Sequence, residues 1–367
     1  MKSKIYAAVA LSVMAMAISG CKKEATPLPD DVNVTVATTQ AATEAATKES
    51  VSLEDDKPVL SKEGMLRSVL TGEWVDEKVA KRTPLAIMIN NIEDADPQSG
   101  IDRAEIMYEA YVESDITRLM MILQDYDNMD KIGPVRSCRE FYVYFAKEVG
   151  AIYIHFGFSP LAANLLASSD VQALDGMKGW CNFYRTTDRV APHNAYTTTE
   201  GILDSIKTKG WDTELPDNYE PQFTFTDYDV KQIELTDGVD CTVFKPGFKR
   251  NKPVFTYNAE DGLYYREQYG RPHCDMESKT QLAFKNILVK FVSGTKFENG
   301  TPILDLVGSG SAYYITNGKL VKCQWKKESD FAPTKYYYEN GEEIVFNQGK
   351  TFINVITMDN AEDVSYQ

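Results

Sequence analysis

Large apolar side chains are sparse in one long stretch of this 367-residue chain and frequent in the remainder. Residues 22 to about 62 consist mainly of Thr, Ala, Glu, Asp and Lys, and part of the stretch is of low complexity. A segment of this composition buries too little apolar surface to offset the entropy lost on ordering. We therefore expect residues 21–62 to be a disordered tether and the folded body to begin near residue 63.

The segment before the tether resembles an export signal. Lys2 and Lys4 precede a 14-residue apolar run, Ile5–Ile18, which is too short to span a bilayer as a helix and suits a signal-peptide core. The run ends in Ile18-Ser19-Gly20-Cys21, which resembles the lipobox of bacterial lipoproteins. We expect a signal peptide over residues 1–20 and acylation, with palmitate-type chains, of Cys21. These chains would hold the protein on the outer face of the cell membrane. The alternative is an ordinary secretory signal with a chance cysteine.

The charge balance limits the classes of partner. Lys and Arg number 39 and Asp and Glu number 54, so the formal net charge is −15. A protein this acidic gains little from counterion release, so nucleic acid is not an expected ligand. The other five cysteines are widely spaced, without a Cys-x-x-Cys pair, and no metal site or cofactor is predicted.

Strand-like and helix-like patterns alternate between residues 63 and 225. Capping boxes or similar starts precede three predicted helices, and Gly150 and Gly210 follow two of them. Strands alternating with helices indicate an α/β domain with a mixed or parallel sheet. One further apolar segment, residues 104–114, fits either a helix or a strand. The strands are expected at residues 84–91, 117–126 and 151–159, and the helices after Ser137-Cys138-Arg139-Glu140, Ser159-Pro160 and Thr197-Thr198-Thr199-Glu200.

Residues 226–367 have a different pattern. Short apolar runs are separated there by turn signals, among which Asn-Gly between strand-like runs is the strongest for a hairpin. We therefore expect a smaller, mainly antiparallel β domain over residues 226–367. The turns are expected at Glu260-Asp261-Gly262, Asn317-Gly318 and Asn340-Gly341.

Several short blocks, distributed over residues 70–360, resemble those of a known family. In the first domain they are Pro97-Gln98-Ser99-Gly100, Ala104, Tyr108-Glu109, Thr117-Arg118, Lys131-Ile132-Gly133-Pro134-Val135-Arg136-Ser137, and Ala191-Pro192-His193-Asn194 with Tyr196. In the second they are Gly270-Arg271-Pro272-His273-Cys274-Asp275, Gly308-Ser309-Gly310, Asn317-Gly318-Lys319, Trp325 and Gly349-Lys350-Thr351. They resemble the YerB-like lipoproteins, a two-part family of unknown function. The resemblance implies an envelope location and a two-part body but no established reaction.

Four arginines of the first domain are candidates for an anion site: Arg118, Arg136, Arg139 and Arg189. Arg136 and Arg139 bracket a predicted helix start, where free N–H groups and the helix dipole favour an anion. Guanidinium forks bind carboxylate or phosphate in a bidentate manner. The expected ligand is an anionic small molecule, a wall polymer or an envelope protein. The alternative is that these arginines pair with acidic residues and hold loops together.

Catalytic candidates are His155, His193 and Glu113. Histidine is the usual acid–base group near neutral pH, and the chain has only three histidines. An envelope hydrolase or transferase is therefore the alternative to a binding protein. Cys138 is conceivable as a nucleophile, but it is better explained as a filler residue. No Gly-x-Ser-x-Gly, Walker or His-Glu-x-x-His motif occurs, so whether the protein is an enzyme stays open.

Overall fold

The structure is a computed structural model that describes residues 57–168, 170–297 and 300–367. The expected signal peptide, the candidate lipidation residue Cys21 and most of the expected tether lie outside the described residues. The last part of that tether, residues 57–62, is described and contacts the body. There, Val59 N donates a hydrogen bond of 2.9 Å to Asp227 O, and Lys62 forms an ion pair of 2.7 Å with Asp229.

The four longest strands in the first part of the chain are buried along their whole length, and this part contains ten strands in all. In order, they are β1 (Met65–Arg67), β2 (Trp74–Asp76), β3 (Leu85–Asn90), β4 (Ile106–Tyr111), β5 (Thr117–Leu123), β6 (Ile152–His155), β7 (Ala173–Asp175), β8 (Tyr184–Arg185), β9 (Ala195–Tyr196) and β10 (Thr224–Phe225). The α-helices are α1 (Glu77–Ala80), α2 (Glu140–Glu148), α3 (Ala163–Leu166) and α4 (Thr199–Lys209). Short 3-10 helices cover Glu93–Ala95, Ile101–Arg103, Glu113–Asp115, Pro160–Ala162, Gly176–Lys178 and, near the C-terminus, Met358–Asp363.

The second part of the chain is formed by strands and turns. Its strands are β11 (Val239–Asp240), β12 (Val243–Lys245), β13 (Val254–Asn258), β14 (Leu263–Gln268), β15 (Arg271–Pro272), β16 (Ala283–Phe284), β17 (Asn286–Val292), β18 (Gly294–Lys296), β19 (Pro302–Leu304), β20 (Gly308–Thr316), β21 (Lys319–Lys327), β22 (Lys335–Tyr337), β23 (Val345–Phe346), β24 (Thr351–Thr357) and β25 (Ser365–Tyr366).

Most of the long strands form one 11-stranded sheet, called here the main sheet. Its order is β11-β21-β20-β17-β24-β4-β5-β3-β6-β7, with β22 beside β21. The half from the first segment is mixed, since β4, β3, β6 and β7 run parallel to one another and β5 runs against them. The half from the second segment is antiparallel from β17 to β22. Because β24 pairs in parallel with β4, the sheet continues across the boundary expected at residue 225.

The described residues are mostly β, so the α/β label is not confirmed. The ambiguous segment at residues 104–114 is the strand β4, since it lies between two other strands of the main sheet. The helix expected after Ser159-Pro160 is reduced to a 3-10 turn and the four-residue α3. The mixed sheet of the first segment and the antiparallel pairing of the second are both present.

A smaller antiparallel sheet, called here the second sheet, packs on one face of the main sheet. Its order is β15-β14-β13-β12-β25, with β16 beside β14. Phe352 of β24 packs against the rings of Phe255 and Phe284 from this sheet, at 4.9 and 5.0 Å between centroids. On the other face, Tyr108 of β4 stacks on Phe145 of α2 at 4.7 Å. Cover on both faces explains why every residue of β3 and β5 is buried.

All three predicted turns connect antiparallel segments. Asn317 and Gly318 join β20 to β21 with positive φ values of 50° and 73°, as a tight hairpin requires. Asp261 and Gly262 lie in the turn between β13 and β14. The chain also turns at Asn340-Gly341, where Gly341 N donates to Tyr338 O. The expected hairpin is confirmed there, because Tyr338 N donates to Glu342 O and Ile344 N donates to Tyr336 O across an antiparallel bridge. The next strand, β23, pairs with β10.

Two helix starts show opposite outcomes. Thr198 caps α4 through a 3.0 Å hydrogen bond from Gly201 N to its hydroxyl oxygen, close to the predicted start. The capping box predicted at Ser137 was wrong, because α2 begins at Glu140 and has no side-chain cap. The reason is that Cys138 is held in extended backbone by a bond from its N–H to Gly157 O.

A buried ion pair joins the two sheets. Glu109 of β4 accepts a 2.7 Å hydrogen bond from Arg266 of β14, and both side chains are fully buried. The other carboxylate oxygen accepts hydrogen bonds from three further side chains: Asn91, Thr117 and Asn251. This pair therefore lies at the centre of a polar network inside an otherwise apolar interface.

His273 extends the same network. Its Nδ1 contacts the Arg266 guanidinium, and its Nε2 lies 2.8 Å from Gln98 Oε1. Burial and the charge of Arg266 lower the pKa of His273 well below its ordinary value. A neutral ring that accepts from Arg266 and donates to Gln98 satisfies both partners, so His273 has a structural role.

We predict that Glu109→Gln lowers the free energy of unfolding by about 3–5 kcal/mol, because it leaves Arg266 buried without a counter-charge. Urea denaturation would measure the change, with the exposed Glu260→Gln as the matched control. The double change Glu109→Gln with Arg266→Met should recover much of the loss. A loss below about 1 kcal/mol for the single change, typical of an exposed pair, would contradict a central role.

Glu105 makes stability depend on pH. Burial raises the pKa of Glu105 to about 7, although backbone N–H groups of Asp125 and Gln124 favour its charged form. Because its pKa in the unfolded chain is lower, ionisation opposes folding as the pH rises from near 4.5 through 7. Glu105→Gln removes this loss, so its melting temperature relative to the native chain should rise between about pH 5 and about pH 8. Calorimetry measures both melting temperatures. If the difference between Glu105→Gln and the native chain is the same at the two pH values, Glu105 does not titrate between them.

Candidate functional site

The candidate residues lie at one edge of the main sheet. The strands β3, β4 and β6 are parallel to one another, and we call the edge at which they end the carboxyl edge. Antiparallel β5 begins there, so Arg118 of β5 pairs in register with Asn90 at the end of β3. Ligands of open sheets commonly bind outside the carboxyl ends of parallel strands, so this edge is a candidate site.

Arg118 is a buried cation. The residue is only 3% exposed, and its Nη1 donates a 2.5 Å hydrogen bond to Ser137 O. Among the described residues, no carboxylate forms an ion pair with Arg118. Burial, together with the charges of Arg139 and Arg136, lowers the pKa of Arg118 to about 9. The protein therefore holds a desolvated guanidinium without a direct counter-charge.

Arg139 has the counter-charge that Arg118 lacks. Its guanidinium binds both carboxylate oxygens of Glu113, and the Nη2–Oε2 distance is 2.6 Å. The hydroxyl of Thr301 also donates to Glu113, at 2.7 Å. Burial raises the pKa of Glu113, but the bonds from Arg139 and Thr301 outweigh it and lower the pKa to about 2. Arg139 and Glu113 therefore follow the alternative in which the arginines pair with acidic residues. A carboxylate with so low a pKa is also a poor acid–base group.

Arg136 lies beside this pair and is partly exposed. Its Nη1 donates a 3.3 Å hydrogen bond to Pro192 O. Burial and the neighbouring charge of Arg139 lower the pKa of Arg136. Among the described residues, no ion pair neutralises Arg136, so it can present its fork to a ligand.

Arg189 is separated from this group by its own contacts. It donates 2.6 Å hydrogen bonds to Ala95 O and Pro97 O, and a 3.1 Å bond to the hydroxyl of Tyr196. These bonds tie the loop at 188–190 to the loop at 95–97. The contacts give Arg189 a structural function instead of a place in the group around Arg118.

His193 joins the site through Asn90. Its Nδ1 lies 2.8 Å from Asn90 Nδ2, which donates. Burial and the charge of Arg136 lower the pKa of His193, so the neutral ring is favoured. With Nδ1 accepting, the ring proton resides on Nε2, and His193 presents a hydrogen-bond donor instead of a general base.

His155 and Cys138 are poorly placed for catalysis. His155 is 1% exposed, and its Nδ1 donates to Gly157 O at 2.8 Å; burial lowers its pKa. Cys138 is fully buried, and burial raises the pKa of its thiol to about 12. The Nδ1 of His155 is occupied by Gly157 O and the Cys138 thiol stays protonated at neutral pH, so neither group is available as a base or a nucleophile.

The structure thus brings Arg118, Arg136, Arg139 and Glu113 together, with His193 linked through Asn90. Sequence reasoning missed Asn90, although a polar residue at the end of the apolar run of β3 could have indicated a site residue.

Among residues 57–168, 170–297 and 300–367, no group of three or more His, Cys, Asp or Glu side chains could hold a metal ion. Within the same ranges, no helix is long and apolar enough to cross a membrane.

Comparisons with known proteins agree with this architecture. Residues 70–212 match the family model described as "Protein of unknown function (DUF3048) N-terminal domain", and residues 243–353 match its C-terminal domain. The chain is 29% identical over 303 residues to "Putative lipoprotein YerB" of Bacillus subtilis (strain 168), which covers 82% of this chain and 89% of that protein. It is similar to the crystal structure of YerB from Bacillus subtilis with a TM-score of 0.72, 27% identity, and coverage of 82% of this chain and 99% of the other. The chain therefore belongs to the YerB-like family, whose two parts are both described as domains of unknown function.

Proposed function

We propose that this protein is a membrane-anchored lipoprotein of the outer face of the cell membrane, and that it binds an anionic ligand at Arg118 and Arg136. We call these two side chains and the first turn of α2 the arginine site. One observation carries the proposal: Arg118 is buried without a carboxylate partner. A buried charge is costly unless it is paired, and a bound anion would supply the missing partner.

The surroundings favour an oxyanion. Two guanidinium groups can bind a carboxylate or phosphate through several N–H donors, and the Nε2–H of neutral His193 adds a donor near Arg136. The first turn of α2 leaves backbone N–H groups without intrahelical acceptors and places the positive end of the helix dipole there. The ligand class is therefore a carboxylate- or phosphate-bearing molecule.

The contacts favour binding over catalysis. The three catalytic candidates are His155, His193 and Glu113, and each is buried, tied to a partner or ionised far below neutral pH. Cys138 is a poor nucleophile because its thiol is buried and has a raised pKa. The envelope hydrolase or transferase has no such observation in its favour.

The anchoring part of the proposal rests on the segment before residue 57 and on the family. The sequence Ile18-Ser19-Gly20-Cys21 follows a short apolar run, and a relative carries the name of a lipoprotein. Acylation of Cys21 would attach the body to the membrane by its N-terminal chain. The net charge of −15 argues against nucleic acid as the ligand.

The arginine site predicts phosphate-dependent thermal stability. Inorganic phosphate should raise the melting temperature of the native protein, and Arg118→Gln should remove this gain, with a loss of about 1.5–3 kcal/mol in ligand affinity. Arg136→Lys should keep part of the effect because its charge remains but its fork does not. The exposed Arg250→Gln is the matched control and should behave as the native chain.

Two outcomes would contradict the proposal. One is native protein that neither phosphate nor citrate stabilises. The other is an equal phosphate effect in Arg118→Gln and the native chain, which would place the bound anion elsewhere. Arg118→Gln removes a buried charge, so without phosphate its melting temperature should be higher than that of the native chain. A cooperative transition at that temperature would show that the variant is folded.

The lipid anchor has a separate test. In a bacterial host, Cys21→Ala should move the protein from the membrane fraction to the soluble fraction, since no acyl chain would then be attached. Mass spectrometry of the native N-terminus should find diacylglyceryl-cysteine at residue 21. Membrane retention of the variant, with an unmodified native Cys21, would remove the anchor from the proposal.

A further inference from the structure

A third arginine lies beside the arginine site. The hairpin of β8 and β9 pairs Arg185 with Ala195, and Ala195 O accepts a 2.8 Å hydrogen bond from Val135 N. Neighbouring extended segments are about 4.8 Å apart, so two such steps, about 10 Å, separate the backbones of Arg185 and Val135. Arg136 follows Val135 directly. Arg185 therefore belongs to the same edge as Arg136, although the two are distant in sequence.

One loop contacts both guanidinium groups. Arg136 Nη1 donates to Pro192 O at 3.3 Å, and Arg185 Nη1 donates to Asn194 Oδ1 at 2.7 Å. Two residues of chain span at most about 7 Å, so the two guanidinium groups are bonded to neighbouring points of this loop. His193, the additional donor near Arg136, lies between the two points in sequence.

The ring of Phe156 is a second connection between the two arginines. The Arg185 guanidinium lies 5.1 Å from its centroid, within the distance of a cation–π contact, and Phe156 N donates to Arg136 O at 3.0 Å. Burial is the largest cause of the lowered pKa of Arg136. The charges of Arg139 and Arg185 add to it, and the charge of Glu113 opposes it. The charges of Arg136 and Arg185 are therefore close enough to interact.

Arg185 keeps hydrogen-bond donors for a ligand. The residue is exposed, and among the described residues no carboxylate forms an ion pair with it. A guanidinium has five N–H donors in one plane, and the bond to Asn194 uses one of them. Asn194 in turn donates to Thr186 O at 2.8 Å and to Arg189 O at 3.1 Å. The side chain of Asn194 thus holds the Arg185 fork in position while leaving most of its donors unused.

The edge combines three guanidinium groups that, within the part of the chain that the structure describes, have no carboxylate bonded to them: Arg118, Arg136 and Arg185. They differ in depth, since Arg118 is buried, Arg136 is half-buried and Arg185 is exposed. A single phosphate or carboxylate group between Arg118 and Arg136 leaves the charge of Arg185 uncompensated. A second anionic group on the same ligand would compensate it and reduce the repulsion between the like charges.

On the basis of the proposed function, we propose that the ligand of the arginine site carries two neighbouring anionic groups, as a diphosphate does, and that Arg185 selects for the second group. One group binds Arg118 and Arg136. The other binds the Arg185 fork, which Asn194 positions. A soluble diphosphate and a diphosphate linked to a lipid share this chemistry.

The test measures affinity by titration calorimetry of the purified full-length protein in buffer without divalent cations, with orthophosphate and pyrophosphate as probes. Pyrophosphate should bind about tenfold more tightly, because the Arg185 fork adds charge-assisted hydrogen bonds. Arg185→Gln should remove this advantage and leave the affinity for orthophosphate unchanged. Arg250→Gln, which removes an exposed arginine of the second segment, is the matched control and should keep the full advantage.

Two further measurements test the positioning residue and the source of the ligand. Asn194→Ala changes no charge but frees the Arg185 fork, so the advantage of pyrophosphate should shrink while orthophosphate binds as before. Phosphatidylcholine vesicles that contain farnesyl diphosphate present the lipid-linked form. Tighter binding of these vesicles than of pyrophosphate, lost in Arg185→Gln, would assign the lipid-linked source, and weaker binding would assign the soluble one.

The outcomes separate this inference from the proposed function. If both phosphate probes require Arg118 and only the advantage of pyrophosphate requires Arg185, the ligand with two anionic groups is supported. The inference is overturned if pyrophosphate binds no more tightly than orthophosphate. It is also overturned if Arg185→Gln and Arg250→Gln lose the same affinity, because the gain is then a general effect of charge. Orthophosphate binding that requires Arg118 would leave the anion site intact in either case. If neither probe depends on Arg118, the proposed function fails as well.

Discussion

The ion pair between Glu109 and Arg266 is the interaction on which the two-part body depends. It lies where the second sheet covers the main sheet, and both groups are fully buried. A buried pair of this kind is favourable only when further hydrogen bonds satisfy its remaining atoms, as Asn91, Thr117 and Asn251 do here. The two sequence segments cannot pack in another register without leaving these charges unpaired, so the pair specifies one arrangement.

Arg118 shows the opposite case within the same sheet. It is nearly as deeply buried as the paired groups, but its guanidinium donates to a carbonyl oxygen, Ser137 O, instead of a carboxylate. The protein pairs Arg139 with Glu113 close by, so the fold is able to neutralise a guanidinium at this edge. Glu113 acts on Arg118 only through its nearby charge, and the missing direct partner is the observation on which the proposed anion site rests. Unfavourable local electrostatics are commonly retained where a protein binds its ligand.

Local patterns in the sequence predicted local structure well. The hairpin at Asn317-Gly318 and the cap at Thr198 depend on neighbouring residues, and both are present. The capping box at Ser137 failed because Cys138 pairs with Gly157, which is distant in sequence. The position of β24 between β17 and β4 depends on such distant contacts too. For the site, the sequence offered Arg118 and Arg136 as candidates but could not show which arginine forms the ion pair with Glu113, because tertiary packing decides that pairing.

The direction of the chain links the fold to the envelope. A strand has a fixed polarity, so the antiparallel β5 carries Arg118 at one edge and reaches Gln124 at the other. The N-terminal segment packs near Gln124, and the acyl anchor proposed at Cys21 would pull on that edge. With a net charge of −15, the protein as a whole repels anions, so the anion site proposed at Arg118 and Arg136 depends on a local excess of positive charge at that edge.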